Sequence, residues 1–292
     1  MKFLLAISFC LLSLLNIAEA QDFKMIQIHF DNTQQTAVTG HYSIQADWVE
    51  GAFRKKMSDA KLGTGEKSKD GFRVYKGITI PEISETQMDM YMKVEADNET
   101  GLSILTLLFS KGYNNYLKPS IDSEELKQGI HYLESFVKDA TRFQLNAEIN
   151  QQNEVITTLQ KERKKLKSEE SDLRHSKEKM ESKIANCTIE SGALQAEMEN
   201  QQKLLDMTRA KTASLDQVDA LKKEVSKQES NFKKSRKKFE RKIDDCAALK
   251  TRISKMESDI EENQNQQGGK ENQINTETKK LKELQEQLGY LQ

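Results

Sequence analysis

The sequence predicts an α+β N-terminal domain, ordered strand, helix, three strands, helix around a mainly antiparallel sheet. A long all-α coiled coil follows, and an antiparallel helical hairpin fits it best. Three observations lead there. The only Trp, both prolines, most glycines and nearly all aromatics precede Ala140, while charge dominates afterwards. Apolar residues then recur every seven positions, the spacing of a left-handed coiled coil. Two cysteines, Cys187 and Cys246, sit on that repeat at equal distances from a weak point in it.

The chain opens with a leader. Met1-Lys2 gives a positive start, Phe3 to Leu15 is almost wholly apolar, and Ala18-Glu19-Ala20 is a small-x-small cleavage signal. Residues 1–20 are therefore expected to be a cleaved signal peptide, with a mature chain from Gln21. The run is too short and wrongly flanked for a membrane span, and no second long apolar run follows. Phe9 before Cys10, inside the run, does not fit a lipoprotein site. The expected location is secreted or periplasmic. Two cysteines remain after the leader, and an oxidising compartment favours a bridge between them.

Residues 21–140 read as the globular domain. Phe23 to Phe30 is a strand, and Gln45 to Ala60 an amphipathic helix with Trp48, Ala52, Phe53 and Met57 on one face. Lys61 to Gly71 is a Gly/Lys loop. Phe72 to Ile80 alternates, placing Phe72, Val74, Ile78 and Ile80 on one face until Pro81 stops it. Gln87 to Ala96 sends Met88, Met90, Met92 and Val94 one way, and Asp89, Tyr91, Lys93 and Glu95 the other. Asp97 to Gly101 is a hairpin loop, and the near-continuous apolar run Leu102 to Phe109 is the expected central strand. A helix starts at Ser120 to Ser123, capped by Asp122 or Ser123, and runs into the tail.

Residues 141–292 form the coiled-coil region, with arms at about 141–212 and 215–266, a kink or second turn at Gly268-Gly269 and a final helix over 270–291. Leu159, Leu166, Leu173, Met180, Cys187 and Leu194 keep the seven-residue spacing, as do Phe232, Phe239, Cys246, Ile253 and Ile260. The second apolar position of each heptad is often polar, so the seam is thin. The words ending in these cysteines, 170–187 and 229–246, match at eight of eighteen positions and read as a duplication. Two arrangements explain seam cysteines. In a parallel dimer each meets its own copy; in a hairpin Cys187 meets Cys246, with the turn near 216. Ser214-x-x-Gln217, a capping box, favours the hairpin. So does the basic run Lys233 to Lys242, which repels itself in a parallel dimer and faces Glu197 and Glu199 in a hairpin. Glu169-Glu170 near Glu261-Glu262 counts against it.

Little chemistry is legible. The four histidines are scattered without metal spacing, and the methionine row reads as core before metal site. Gly63-Thr64-Gly65 with Lys67 lacks the phosphate-loop order, and Glu82, Glu85 and Asp89 read as solvated acids. Asn98-Glu99-Thr100 and Asn186-Cys187-Thr188 match a glycosylation sequon, against which the bacterial-looking leader and the seam position argue. No catalytic, cofactor or metal residues are assigned, and the near-zero net charge gives no expectation of nucleic-acid binding. Lys233, Lys234, Arg236, Lys237 and Lys238 are candidates for contact with an anionic surface; the plainer reading is a solvated coiled-coil face.

The string Gly77-Ile78-Thr79-Ile80-Pro81-Glu82-Ile83-Ser84, then Tyr91-Met92-Lys93-Val94-Glu95, then Phe109-Ser110-Lys111-Gly112-Tyr113, resembles a group of uncharacterised exported proteins of Bacteroidota. They share the layout of signal peptide, small α+β head and C-terminal coiled coil. The resemblance implies an envelope location and carries no activity and no site residues. The expectation is a non-enzymatic structural or interaction protein, a coiled-coil spacer or scaffold with a recognition head and a protein partner or self-association through the coiled coil. The alternative is a periplasmic holdase-type chaperone with helical hairpin arms.

Overall fold

The computed structural model describes residues 22–97, 101–112, 115–213 and 218–291. The chain divides into two compact units. One runs to Asn153 and includes Lys279–Gln292; the other is Glu154–Thr278.

In the first unit, strands β1 (Phe23–Phe30) and β2 (Thr33–Tyr42) precede helix α1 (Ala46–Asp59). Strands β3 (Glu66–Lys67), β4 (Arg73–Ile80), β5 (Ser84–Ala96) and β6 (Ser103–Ser110) follow, then helix α2 (Ser123–Ala213). The sheet order is β1-β2-β6-β5-β4-β3, and every neighbouring pair is antiparallel. The α+β head is thus as expected, with β6 inside the sheet. Two strands go beyond the sequence reading. Asp31 and Asn32, both at positive φ, make a two-residue turn that returns the chain as β2. β2 lies between β1 and β6 and is buried along most of its length, so its small residues show no alternation. At Gly40 an added Cβ would sit 2.6 Å from the Phe23 ring, which lies over the glycine.

One face of the sheet carries the main core. Val49, Ala52, Phe53 and Met57 of α1 and Leu126, Leu133, Phe136 and Ala140 of α2 pack against Met88, Met90, Met92, Leu105 and Leu107. Each large side chain here contributes roughly 1.5–3 kcal/mol by leaving water. The Tyr42 hydroxyl, buried among them, donates to the Leu133 carbonyl at 2.8 Å, and burial raises its pKa. The opposite face holds a smaller cluster of Phe30, Ala37, Phe72, Leu108 and Tyr116.

The alternation expected along β4 is broken. Phe72 joins the small cluster, whereas Tyr75, Ile78 and Ile80 join the main core. The cause is a bulge: pairing with β5 shifts between Tyr75 and Ile78, and Gly77 takes φ 58°. Asp89 Oδ1 accepts from the Gly77 amide at 2.7 Å, and Gln87 Nε2 donates to its carbonyl at 2.5 Å.

At the start of α2, the Asp122 carbonyl accepts from Leu126 N, but its side chain turns back. Lys118 N and Lys111 Nζ donate to its two oxygens at 2.8 and 2.6 Å. Lys111 also reaches Glu125 at 3.1 Å. The Lys111 ammonium, and then the Lys118 amide, hold the Asp122 carboxyl below the usual carboxylate range.

Helix α3 spans Val218–Tyr290. It passes through Gly268 and Gly269 without a break, which corrects the expected kink and separate final helix. Two helical glycines cost about 2 kcal/mol relative to alanine. Contacts across the seam on either side of the pair offset this: Gln267 donates to Glu170 at 2.8 Å, and Lys270 pairs with Glu162 at 2.6 Å.

Candidate functional site

The second unit is an antiparallel pair of arms from α2 and α3. Residues 214–217, which hold the expected turn and the Ser214–Gln217 capping box, lie outside the described residues. The arms pair as the heptads require, and Cys187 and Cys246 are disulfide-bonded with their Cα atoms 5.8 Å apart.

Polar contacts on both sides of the bridge keep one register. Towards the base of the arms, Arg163 pairs with Glu271, and Lys177 with Glu257 at 2.8 Å. Beyond the bridge, Lys242 pairs with Glu190, the Ser235 hydroxyl donates to Glu197 at 3.1 Å, and Arg209 reaches Glu229 at 2.6 Å. Every pair straddles nearly the same midpoint, near residue 216. Most of these ions are partly exposed, so each pair is worth at most about 1 kcal/mol, and their value lies in register.

The seam is thin. Cys187, Cys246, Leu205, Ile156 and Ile260 are its buried apolar members, while Gln228, Ser235 and Asn263 are buried polar ones. Leu159, Leu166, Leu173, Met180 and Leu194 are only half-buried. Glu170 accepts from donors on both arms. Arg174 donates to it along its own helix, and Gln264 and Gln267 donate to it from the other arm. Those bonds lower its pKa, Arg174 first.

The basic run is resolved residue by residue. Arg236 pairs with Glu240 at 2.8 Å, and Lys242 is drawn to Glu190. Lys233, Lys234, Lys237 and Lys238 are exposed, and among the described residues no carboxylate is in ion-pair reach of them. They follow four-residue steps, so they form one stripe along α3. Lys233, Lys234 and Lys237, with Ser226, Glu229 and Ser230, line a shallow open depression of about 380 Å³. A second depression, about 440 Å³, lies beside the disulfide between Lys183, Glu190, Asp245 and Arg252.

The head's other candidates stay apart. The Arg73 guanidinium donates to the carbonyls of Thr64 and Gly65 at 3.2 and 3.1 Å, so this loop turns carbonyls, not amides, to its neighbour. His131 sits beside Glu134 and His175 near Glu178, both on the surface. Met88, Met90 and Met92 are core. The rings of Phe72 and Tyr116 pack edge to face on Phe30, and all three are buried, so they offer no open stacking platform. Among the described residues no cluster of three metal-ligating side chains occurs, and no helix is long and apolar enough to cross a membrane. No family model and no curated protein matches the chain.

Proposed function

We propose that this chain is an exported, non-enzymatic structural or interaction protein of the cell envelope, with the hairpin as spacer or scaffold and the α+β head as its recognition module. The observation that carries this reading is the Cys187–Cys246 bridge across a seam too polar to be robust alone. Such a bridge persists in oxidising compartments and is reduced in the cytosol. The leader over residues 1–20 and its cleavage signal support the same location. A spacer also fits the hairpin surface better than a holdase. A holdase needs a large contiguous apolar surface for unfolded clients, whereas among the described residues the arms expose only five large apolar side chains, Val155, Ile189, Leu204, Met207 and Ile243. The stripe Lys233, Lys234, Lys237 and Lys238 suits an anionic envelope surface, with Arg236 at its margin.

The test is fractionation of an expressing cell with mass measurement of the product. A chain beginning at Gln21, outside the cytoplasm, with Cys187 and Cys246 in one non-reduced peptide supports the proposal. An uncut leader on a cytoplasmic protein with free thiols overturns it. Suppression of client aggregation at stoichiometric ratios would favour the chaperone instead.

A further inference from the structure

The two edges of the head sheet are built differently. One ends in β3, which is two residues long. The other is β1, eight residues in unbroken register with β2, without proline or bulge. Its one charged side chain, Lys24, is exposed and paired with Asp22. Natural edges usually carry several devices against pairing; β1 carries one lysine near its start and neither proline nor bulge.

The hydrogen-bond phase of β1 follows from its neighbours. His41 N donates to the Asp22 carbonyl at 3.3 Å, and the Phe30–Thr33 pair closes the two-residue turn. Even-numbered residues of β1 therefore spend their backbone groups on β2. The odd-numbered ones, Phe23, Met25, Gln27 and His29, point theirs outward. Four residues with one N–H and one C=O each present eight groups. Among the described residues no strand pairs with them.

We propose that this edge pairs with the same edge of a second copy, antiparallel, about a two-fold axis through Ile26. The four outward residues are symmetric about Ile26. In that register Phe23 meets the partner's His29, Met25 meets the partner's Gln27, and all eight groups are bonded. Centring on Gln27 instead places Phe23 opposite the turn residue Asp31 and strands two groups on each copy. The side chains agree. Ile26 meets its own counterpart in a non-hydrogen-bonded pair, where Cβ atoms come within about 5.5 Å. Ile26 and Ile28, both half-exposed, extend the small Phe30 cluster towards the axis. Lys24 falls opposite Ile28, so the two lysines stay roughly 13 Å apart. The contact is isologous and closes at two copies.

The experiment is light scattering on the full chain purified with its disulfide intact, across roughly a thousandfold range of concentration. A concentration-dependent dimer is expected. Ile26→Lys and Ile26→Asp should each weaken association at least tenfold, and mixing the two variants should restore it, because opposite charges then meet at the axis. Gln27→Pro removes one outward N–H and leaves the β2 ladder intact, so it should also weaken the dimer. Ile26→Cys should give a chain-to-chain bridge on a non-reducing gel, and Lys24→Cys should not. Circular dichroism and Trp48 emission matching wild type show that each variant still folds. A protein monomeric at every concentration overturns the proposal, as does a dimer that Ile26→Lys leaves intact, which would place association elsewhere.

Discussion

Removing the bridge tests the energetics of the hairpin most directly. The disulfide closes a loop with a sequence separation of 59 residues. The chain-entropy relation for that loop gives about 4 kcal/mol of stabilisation at 25 °C, acting through the unfolded state. The seam offers little to replace it, since its second positions include Gln228, Ser235 and Asn263. Cys187→Ser with Cys246→Ser should therefore lower the urea midpoint of the hairpin by about 2 M, for a slope near 2 kcal/mol/M. Two probes separate the units. Ellipticity at 222 nm is dominated by α2 and α3. Trp48, the only tryptophan, lies in α1 and reports the head. The ellipticity transition should move and the Trp48 transition should stay. Coincident ellipticity curves for the double serine variant and wild type would refute the staple argument. An equal shift in both probes would refute its confinement to the hairpin.

Gly268→Ala with Gly269→Ala should stabilise the hairpin by about 2 kcal/mol. Nothing lies within 4 Å of either added Cβ, so an unchanged or lower midpoint would restore the idea of a bend there. Gly77→Ala should cost the head roughly 1–2 kcal/mol in a Trp48-detected urea melt, because φ 58° is unfavourable to a side chain. Asp122 sets an acid limb. Its folded pKa lies below the value of about 3.9 for an unfolded Asp. Its contribution is therefore present above about pH 4 and is lost as pH falls through the folded value. The head should weaken progressively below about pH 4, and Asp122→Asn should flatten that decline while lowering stability at neutral pH. An acid limb identical to wild type would show that the Lys111–Asp122 pair does not carry it.

Much of the fold is legible because its signals are local. The methionine alternation of β5, the apolar run of β6 and the heptads each report burial on one face or two. Cys187 and Cys246 were readable as a pair because they combine seam position with equal distance from a weak point. What escaped depends on neighbours. β2 is buried by strands on both sides, and its Gln, Thr, Ala and Gly carry no period of their own. The β4 bulge turns on the backbone of one glycine, which pattern alone treats as an ordinary strand position. Gly268-Gly269 reads as a break in isolation, but contacts from the opposite arm hold it helical. The basic run looked uniform in sequence. Only cross-arm geometry separates Lys242, drawn to Glu190, from the four lysines that face outward.

The sparse seam has one more consequence, for the search that precedes the native state. Before its cross-arm pairs have formed, a heptad seam that alternates apolar and polar residues offers several alignments, each one heptad apart along the rods. Such sliding isomers are the traps of long helical pairs. From Asp22 to Gln292 the chain has only two thiols, so oxidation within one chain can yield a single isomer. That isomer forms only when the rods are in step, because a one-heptad slip carries the two sulfurs about 10 Å apart. Bond formation thus selects one alignment from the ladder and makes the choice permanent.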